Sequence, residues 1–199
     1  MDEPTIHVIC LEGCHGVGKT TLWRSLDDGK YLRVGEDFME RSPSRMFHPQ
    51  DIVCQMKWVS AWFDNLRAVL RSYRVGQAYA ASAPVFVVTD RSPYSAAVYA
   101  HVSDEADRVA LRETICGLVR RHEALGIHFH VLCLTREKGE VSRDVLKRVG
   151  REPERKAFDE HRTEHFERVW GIYQDWEVFA NKGVVPTPGA FDAYVETRL

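Results

Sequence analysis

The chain has 199 residues, 44% hydrophobic and 28% charged, which suits one α/β domain with a well-buried core and nothing of low complexity. A formal net charge of −2 argues against a nucleic-acid polymer as partner, because no basic excess exists to neutralise a phosphate backbone. No apolar run reaches transmembrane length, Met1-Asp2-Glu3-Pro4 reads as neither signal nor transit peptide, and five cysteines without C-x-x-C spacing fit a reduced, cytoplasmic setting away from membranes.

Taken in chain order, Ile6 to Leu11 is a mostly apolar run that reads as a buried strand. It feeds Gly13-Cys14-His15-Gly16-Val17-Gly18-Lys19-Thr20, and Thr21 to Leu26 opens a helix. Tyr31 to Val34 is a short second strand, ending at Gly35-Glu36-Asp37. From His48-Pro49 to about Tyr79 the pattern is helical, with Met56, Val59, Phe63, Leu66, Val69 and Tyr73 at steps of three or four. Val85 to Thr89 is a β-branched strand ending in Asp90-Arg91-Ser92-Pro93. Helices follow over Tyr94 to His101 and Asp104 to Leu125, then a strand over Ile127 to Leu134 and a helix over Glu137 to Val149. Lys156 to about Ala180 reads as another amphipathic helix, Val184-Val185 as a last strand, and Phe191 to Leu199 as a last helix. Strands alternating with helices imply a five-stranded parallel sheet between helical layers, a three-layer α/β/α fold in a single domain over 1–199.

The segment Gly13 to Thr20 matches G-x-x-x-x-G-K-[ST] in the strand–loop–helix context that the motif requires. Backbone N–H groups of such a loop curl around a nucleotide's phosphates, with the partial positive charge of a helix N-terminus behind them. Gly13, Cys14, His15, Gly16, Val17, Gly18, Lys19, Thr20 and Thr21 are therefore the expected ATP-binding residues. Lys19 reaches the β- and γ-phosphates, and the Thr20 hydroxyl ligates Mg²⁺.

Ligands of parallel α/β sheets sit beyond the carboxyl ends of strands, so Asp90 and Arg91 share an edge with the loop. Asp90 is a candidate Mg²⁺ ligand, and Arg91 a contact to the transferred phosphoryl or the acceptor. A carboxylate of Glu36-Asp37 on the same edge is a candidate general base for a substrate hydroxyl. Lys147 to Lys156 is rich in guanidinium groups and interrupted by Gly150 and Pro153, and reads as a mobile lid. Two motifs carry less. His161-Arg162-Thr163-Glu164-His165 fits H-x-x-E-H but lies in a charged stretch and reads as a solvated helix face, while Asn181-Lys182-Gly183-Val184 lacks the Asp of a guanine-reading N-K-x-D.

Together these segments resemble the deoxynucleoside kinase family, within the larger group that includes thymidylate kinase. Leu11-Glu12-Gly13 with Gly16-Val17-Gly18-Lys19-Thr20-Thr21-Leu22 is similar to the family's E-G-x-x-G-x-G-K-[ST]-T-L opening, and Asp90-Arg91-Ser92 with Tyr94-Ser95 to its E-R-S-x-Y-S segment. The resemblance implies transfer of the ATP γ-phosphate to the 5′-hydroxyl of a deoxynucleoside. It implies Glu36 as catalytic base beside Lys19 and Arg91, with Asp37 a competing candidate. It implies Gln55 on the base edge of the substrate, Arg148 and Arg151 of the lid on phosphates, and Glu152 or Glu154 on the sugar hydroxyl. A small nucleoside or nucleotide is then the partner, and a homodimer through the long helices is expected, with Trp58, Trp62 and Phe63 either its apolar surface or core. Thymidylate kinase is the alternative. The two differ in that a hydroxyl acceptor needs a base, whereas a phosphate acceptor needs extra arginines.

Overall fold

A computed structural model describes residues 4–35, 47–76, 83–101, 104–183 and 187–199. The strands are β1 (Ile6–Glu12), β2 (Leu32–Val34), β3 (Val85–Asp90), β4 (Ile127–Leu134) and β5 (Lys182–Gly183). They form one sheet in the order β2-β3-β1-β4-β5, and every pairing is parallel. The helices are α1 (Lys19–Ser25), α2 (Ile52–Gly76), α3 (Ser95–Tyr99), α4 (Glu105–Glu123), α5 (Lys138–Arg151), α6 (Thr163–Asp175) and α7 (Pro188–Arg198). Short 3₁₀ turns follow α5 and α6, at Pro153–Phe158 and Glu177–Phe179.

Register decides what faces what. Ile6 pairs with Val85 on one side and Ile127 on the other, so Ile6, Val8, Val87 and Phe129 share a sheet face. That face meets α2 and α4: Phe129 lies 6.3 Å from the Trp62 ring and 6.5 Å from His122. On the opposite face, the indole N–H of Trp23 in α1 donates to the Val88 carbonyl at 3.1 Å. His7, Phe86, His128 and His130 share this second face and stack, with His7 5.2–5.5 Å from each of the other three rings. The parallel sheet brings the ends of β1 and β3 to one edge, where the Arg91 N–H donates to the Leu11 carbonyl at 3.1 Å.

Helix boundaries follow from caps. α2 starts at Ile52 rather than at Pro49 because the Asp51 carboxylate accepts the Val53 N–H at 2.8 Å. Asp104 does the same for α4, accepting from Ala106 at 2.9 Å, and Glu137 caps α5 through Gly139 and Glu140 at 2.9 and 2.8 Å.

The structure corrects some expectations and settles an alternative left open. The buried stripe of α2 is Trp58, Val59, Trp62, Phe63, Leu66 and Leu70, while Met56, Val69 and Tyr73 flank it half-buried. Trp58, Trp62 and Phe63 are therefore core of this chain and offer no dimer surface. Gly150 does not interrupt the lid, because α5 continues through it to Arg151, held by the buried stripe Val141, Val145 and Val149. Residues from Lys156 to Ala180 are not one helix: the turn to Phe158, a left-handed Asp159 and the break before Thr163 divide them. β5 pairs at Lys182 and Gly183, with Cys133 and Leu134, whereas Val184 and Val185 lie outside the described residues.

Candidate active site

The loop leaves β1 at Gly13, whose φ is +127° and where an added Cβ would stand 2.5 Å from the Leu134 carbonyl oxygen. Only glycine fits, because both the backbone sign and the close approach of β4 forbid a side chain. At the far end Gly18, with φ +104°, turns the chain into α1 and leaves open space where a Cβ would go. Lys19, at the start of that helix, is buried, and its Nζ donates to the Gly13 carbonyl at 2.6 Å and the Cys14 carbonyl at 3.1 Å. Burial, with Arg91 close by, pulls the Lys19 ammonium down to about 8, against the opposing pull of Glu12 and Asp90. Burial pushes the Cys14 thiol up to about 12, so it stays protonated and is a poor metal ligand.

Beneath the loop lies a carboxylate that no sequence argument assigned. Glu12 is fully buried, and its Oε1 accepts from the Ser92 N–H at 2.8 Å, the Ser92 hydroxyl at 2.6 Å and the Ser95 hydroxyl at 2.7 Å. Its Oε2 accepts from the Tyr173 hydroxyl at 2.7 Å. This network locks the phosphate loop, the segment after β3 and α6 together, and it keeps the buried charge satisfied.

Arg91 is a non-glycine residue at φ +80°, a costly conformation. It is held by its N–H on Leu11 and by two donors on its carbonyl, the Trp62 indole at 3.1 Å and the Thr89 hydroxyl at 2.7 Å. The strain aims the guanidinium over the Tyr99 ring, 4.7 Å from its centroid.

These residues open onto a cavity of about 270 Å³. Gly16, Gly18, Lys19, Thr20 and Thr21 of the loop and the helix after it line it, and so do Gln50, Gln55, Trp58, Tyr99 and Phe158. His15, Arg91, Arg148, Arg155, Glu160 and His165 lie in its walls as well. The Gln55 amide is buried and donates to the Pro49 carbonyl at 3.4 Å. His15, the third residue of the loop, packs against other rings of the cavity wall, 6.0 Å from Tyr99 and 5.8 Å from His165. Burial holds His15 well below the usual histidine range and His165 down at about 4, so both are neutral.

The lid differs in detail from its expected form. Arg148 lines the cavity and donates to Glu160 at 2.7 Å, and Arg155 reaches the other oxygen of the same carboxylate at 3.2 Å. Arg151 is exposed and outside the cavity wall. At 100° per residue it lies about 120° from the centre of the Val141–Val145–Val149 stripe, against about 60° for Arg148. Glu152 pairs with the Arg155 Nε and does not line the cavity, and Glu154 is exposed. Asp90 is buried, close enough to act on Lys19, but absent from the wall that contains Thr20. His165 is buried rather than on a solvated face. Glu36 and Asp37 lie outside the described residues.

The residues that sequence reasoning missed are Glu12, Tyr99, Arg155, Glu160 and His165. Arg155 stood within the basic segment. Glu12 and His165 stood in motifs read from the sequence but without a role at this site, and Tyr99 and Glu160 carry no local pattern and reach it only through packing.

A parallel sheet whose first strand runs into this loop, with a helical lid of arginines over the same edge, defines a P-loop α/β protein of kinase-like fold. The chain belongs to the AAA domain family, whose model matches residues 8–173, from β1 to the tyrosine that closes the Glu12 network. Among solved structures, polyphosphate kinase 2 from Arthrobacter aurescens TC1 shares the fold at a TM-score of 0.50 and 16% identity. The alignment covers 98% of this chain and 66% of that one, so the chain spans just under two thirds of its relative's length. No curated protein matches the sequence. Neither similarity names a deoxynucleoside kinase. Among the described residues, no helix is long and apolar enough to cross a membrane.

Proposed function

We propose that the protein is an ATP-dependent deoxynucleoside kinase. The observation that carries this reading is one cavity lined both by phosphate-loop residues and by the amides of Gln50 and Gln55 with the rings of Trp58, Tyr99 and Phe158. Donor phosphates belong at Gly16 to Thr21. A planar acceptor fits between Trp58, Tyr99 and Phe158, with the Gln55 amide supplying paired donor and acceptor to a base edge. Arg91, Arg148 and Arg155 line the same cavity, and their charges suit the negative charge that builds on a transferring phosphoryl group. A cavity of this size suits a small-molecule acceptor.

Mg²⁺ suits the hard oxygen of Thr20 on the cavity wall, with Asp90 buried behind Lys19 as a supporting charge. Held there, it would supply positive charge to offset that of the donor phosphates. Glu36, or Asp37 beside it, is the proposed base for the 5′-hydroxyl. The three wall arginines favour the second reading, a nucleoside monophosphate acceptor, since they could hold its phosphate.

The test is ADP release from Mg-ATP with thymidine, deoxycytidine, deoxyadenosine, deoxyguanosine and thymidine monophosphate as acceptors. Turnover with a nucleoside, abolished by Lys19→Ala and depressed in kcat far more than in KM by Glu36→Gln, supports the proposal. Turnover with the monophosphate alone replaces it by the second reading. No acceptor-dependent release refutes both.

A further inference from the structure

Outside the nucleotide cavity, three side chains from distant parts of the chain converge. His48 precedes α2, His101 follows α3, and Asp159 ends the turn after the lid. The Nε2 atoms of His48 and His101 lie 3.8 and 3.5 Å from Asp159 Oδ2. A donor atom of each residue lies within 4.8 Å of the others. Ligands of a tetrahedral zinc ion, bound at about 2.0–2.1 Å, stand roughly 3.4 Å apart. Each imidazole nitrogen thus needs to approach the carboxylate oxygen by only a few tenths of an ångström, and the two nitrogens to close by at most about 1.4 Å.

We propose that His48, His101 and Asp159 form a site for a divalent transition cation, zinc foremost, which clamps the end of the lid to the start of α2.

The surroundings pre-arrange the donors. The His101 N–H donates to the Gln50 carbonyl at 2.7 Å, and the Asp51 N–H to the His48 carbonyl at 2.8 Å. With the bridge between Asp51 and His101, these bonds fix both histidines on one short patch, and their rings stack at 5.1 Å and 18°. Asp159 is buried in a left-handed conformation, and Arg162 holds its Oδ1 at 3.0 Å, leaving Oδ2 toward the imidazoles. Both rings are exposed, so the patch is open to an ion from solvent, and a water can complete four-coordination. Two nitrogens and a carboxylate oxygen suit zinc, cobalt or nickel rather than magnesium or calcium.

Two features weaken the site without removing it. The Gln50 N–H donates to His48 Nδ1 at 3.2 Å, which puts the ring proton on Nε2 while no metal is bound. Coordination through Nε2 moves that proton to Nδ1 and gives up this long contact, lowering affinity by roughly ten- to a hundredfold. The positive charges of Arg162 and of Arg168, both of which act on His101, oppose a cation.

The clamp has a mechanical consequence. Phe158, next to Asp159, lines the nucleotide cavity, and its carbonyl accepts the Gln50 Nε2–H at 2.7 Å. A metal here would reinforce the same junction.

The experiment uses tag-free, chelator-dialysed protein titrated with cobalt(II) by visible absorption and with zinc by calorimetry and thermal shift. The expected result is one equivalent bound, a visible d–d band without near-ultraviolet thiolate charge transfer, displacement of cobalt by zinc, and a higher melting temperature with zinc. His101→Ala and His48→Ala should each weaken binding more than about tenfold, while His130→Ala, on the sheet-face histidine group, should not. Because both target rings are exposed, an unchanged melting temperature without metal verifies that these variants fold. Failure to bind a stoichiometric ion, a thiolate band, or binding that survives the double substitution His48→Ala/His101→Ala would overturn the proposal.

Discussion

Lys19 offers the sharpest test of the phosphate loop, because its proton responds to what occupies the loop. Burial and Arg91 hold its ammonium at about 8, whereas a bound polyphosphate brings compensating negative charge and restores an ordinary lysine value. At pH 7 about a tenth of the free protein carries a neutral Lys19, and at pH 8.5 about three quarters does. Mg-ATP binding at pH 8.5 should therefore take up about three quarters of a proton, and its affinity should fall about fourfold from pH 7 to 8.5. Calorimetry in buffers of different ionisation enthalpy measures the uptake directly. The linkage has a second face. A lysine depressed by folding destabilises the native state fully below pH 8, and the penalty is relieved as pH rises toward 10.5, by a total on the order of 3 kcal/mol. Lys19→Met should flatten that rise in a pH series of urea melts. No buffer-dependent heat at pH 8.5, with ATP bound, would refute the placement of Lys19 at the phosphates.

Glu12→Gln should cost about 2–4 kcal/mol, since an amide turns a donor toward the hydroxyl and N–H donors of Ser92, Ser95 and Tyr173, and a urea midpoint matching wild type would refute the network. Gly13→Ala should destabilise by more than about 3 kcal/mol, because its Cβ meets the Leu134 carbonyl at 2.5 Å, while Gly18→Ala pays only left-handed strain of roughly 1–2 kcal/mol. The reverse order in thermal melts would contradict the packing of loop on β4. On whichever acceptor turns over, Arg148→Met and Arg155→Met should each lower kcat/KM by about 100-fold, and Arg151→Met by less than about threefold. Equal losses would place Arg151 at the site after all.

The phosphate loop was legible because its chemistry is local: glycines, lysine and threonine stand within eight consecutive residues, and the strand before them announces itself by composition. The parallel sheet followed from the alternation of elements, and Asp90-Arg91 from the rule that such sheets bind at one edge. Gln55 and Trp58 were harder. Periodicity placed them on a helix, but the cap at Asp51 and the packing of Trp62 set the rotation that turns them into the cavity rather than toward a second subunit.

By itself, the sequence determined a nucleotide-binding loop, its fold class and the basic character of its lid, all properties of neighbouring residues. Only the tertiary structure decided which arginines line the cavity, what Glu12 holds together, and that His48, His101 and Asp159 meet. Those outcomes depend on contacts between residues 53 to 161 positions apart, whose geometry is set by register, helix rotation and burial rather than by any local pattern.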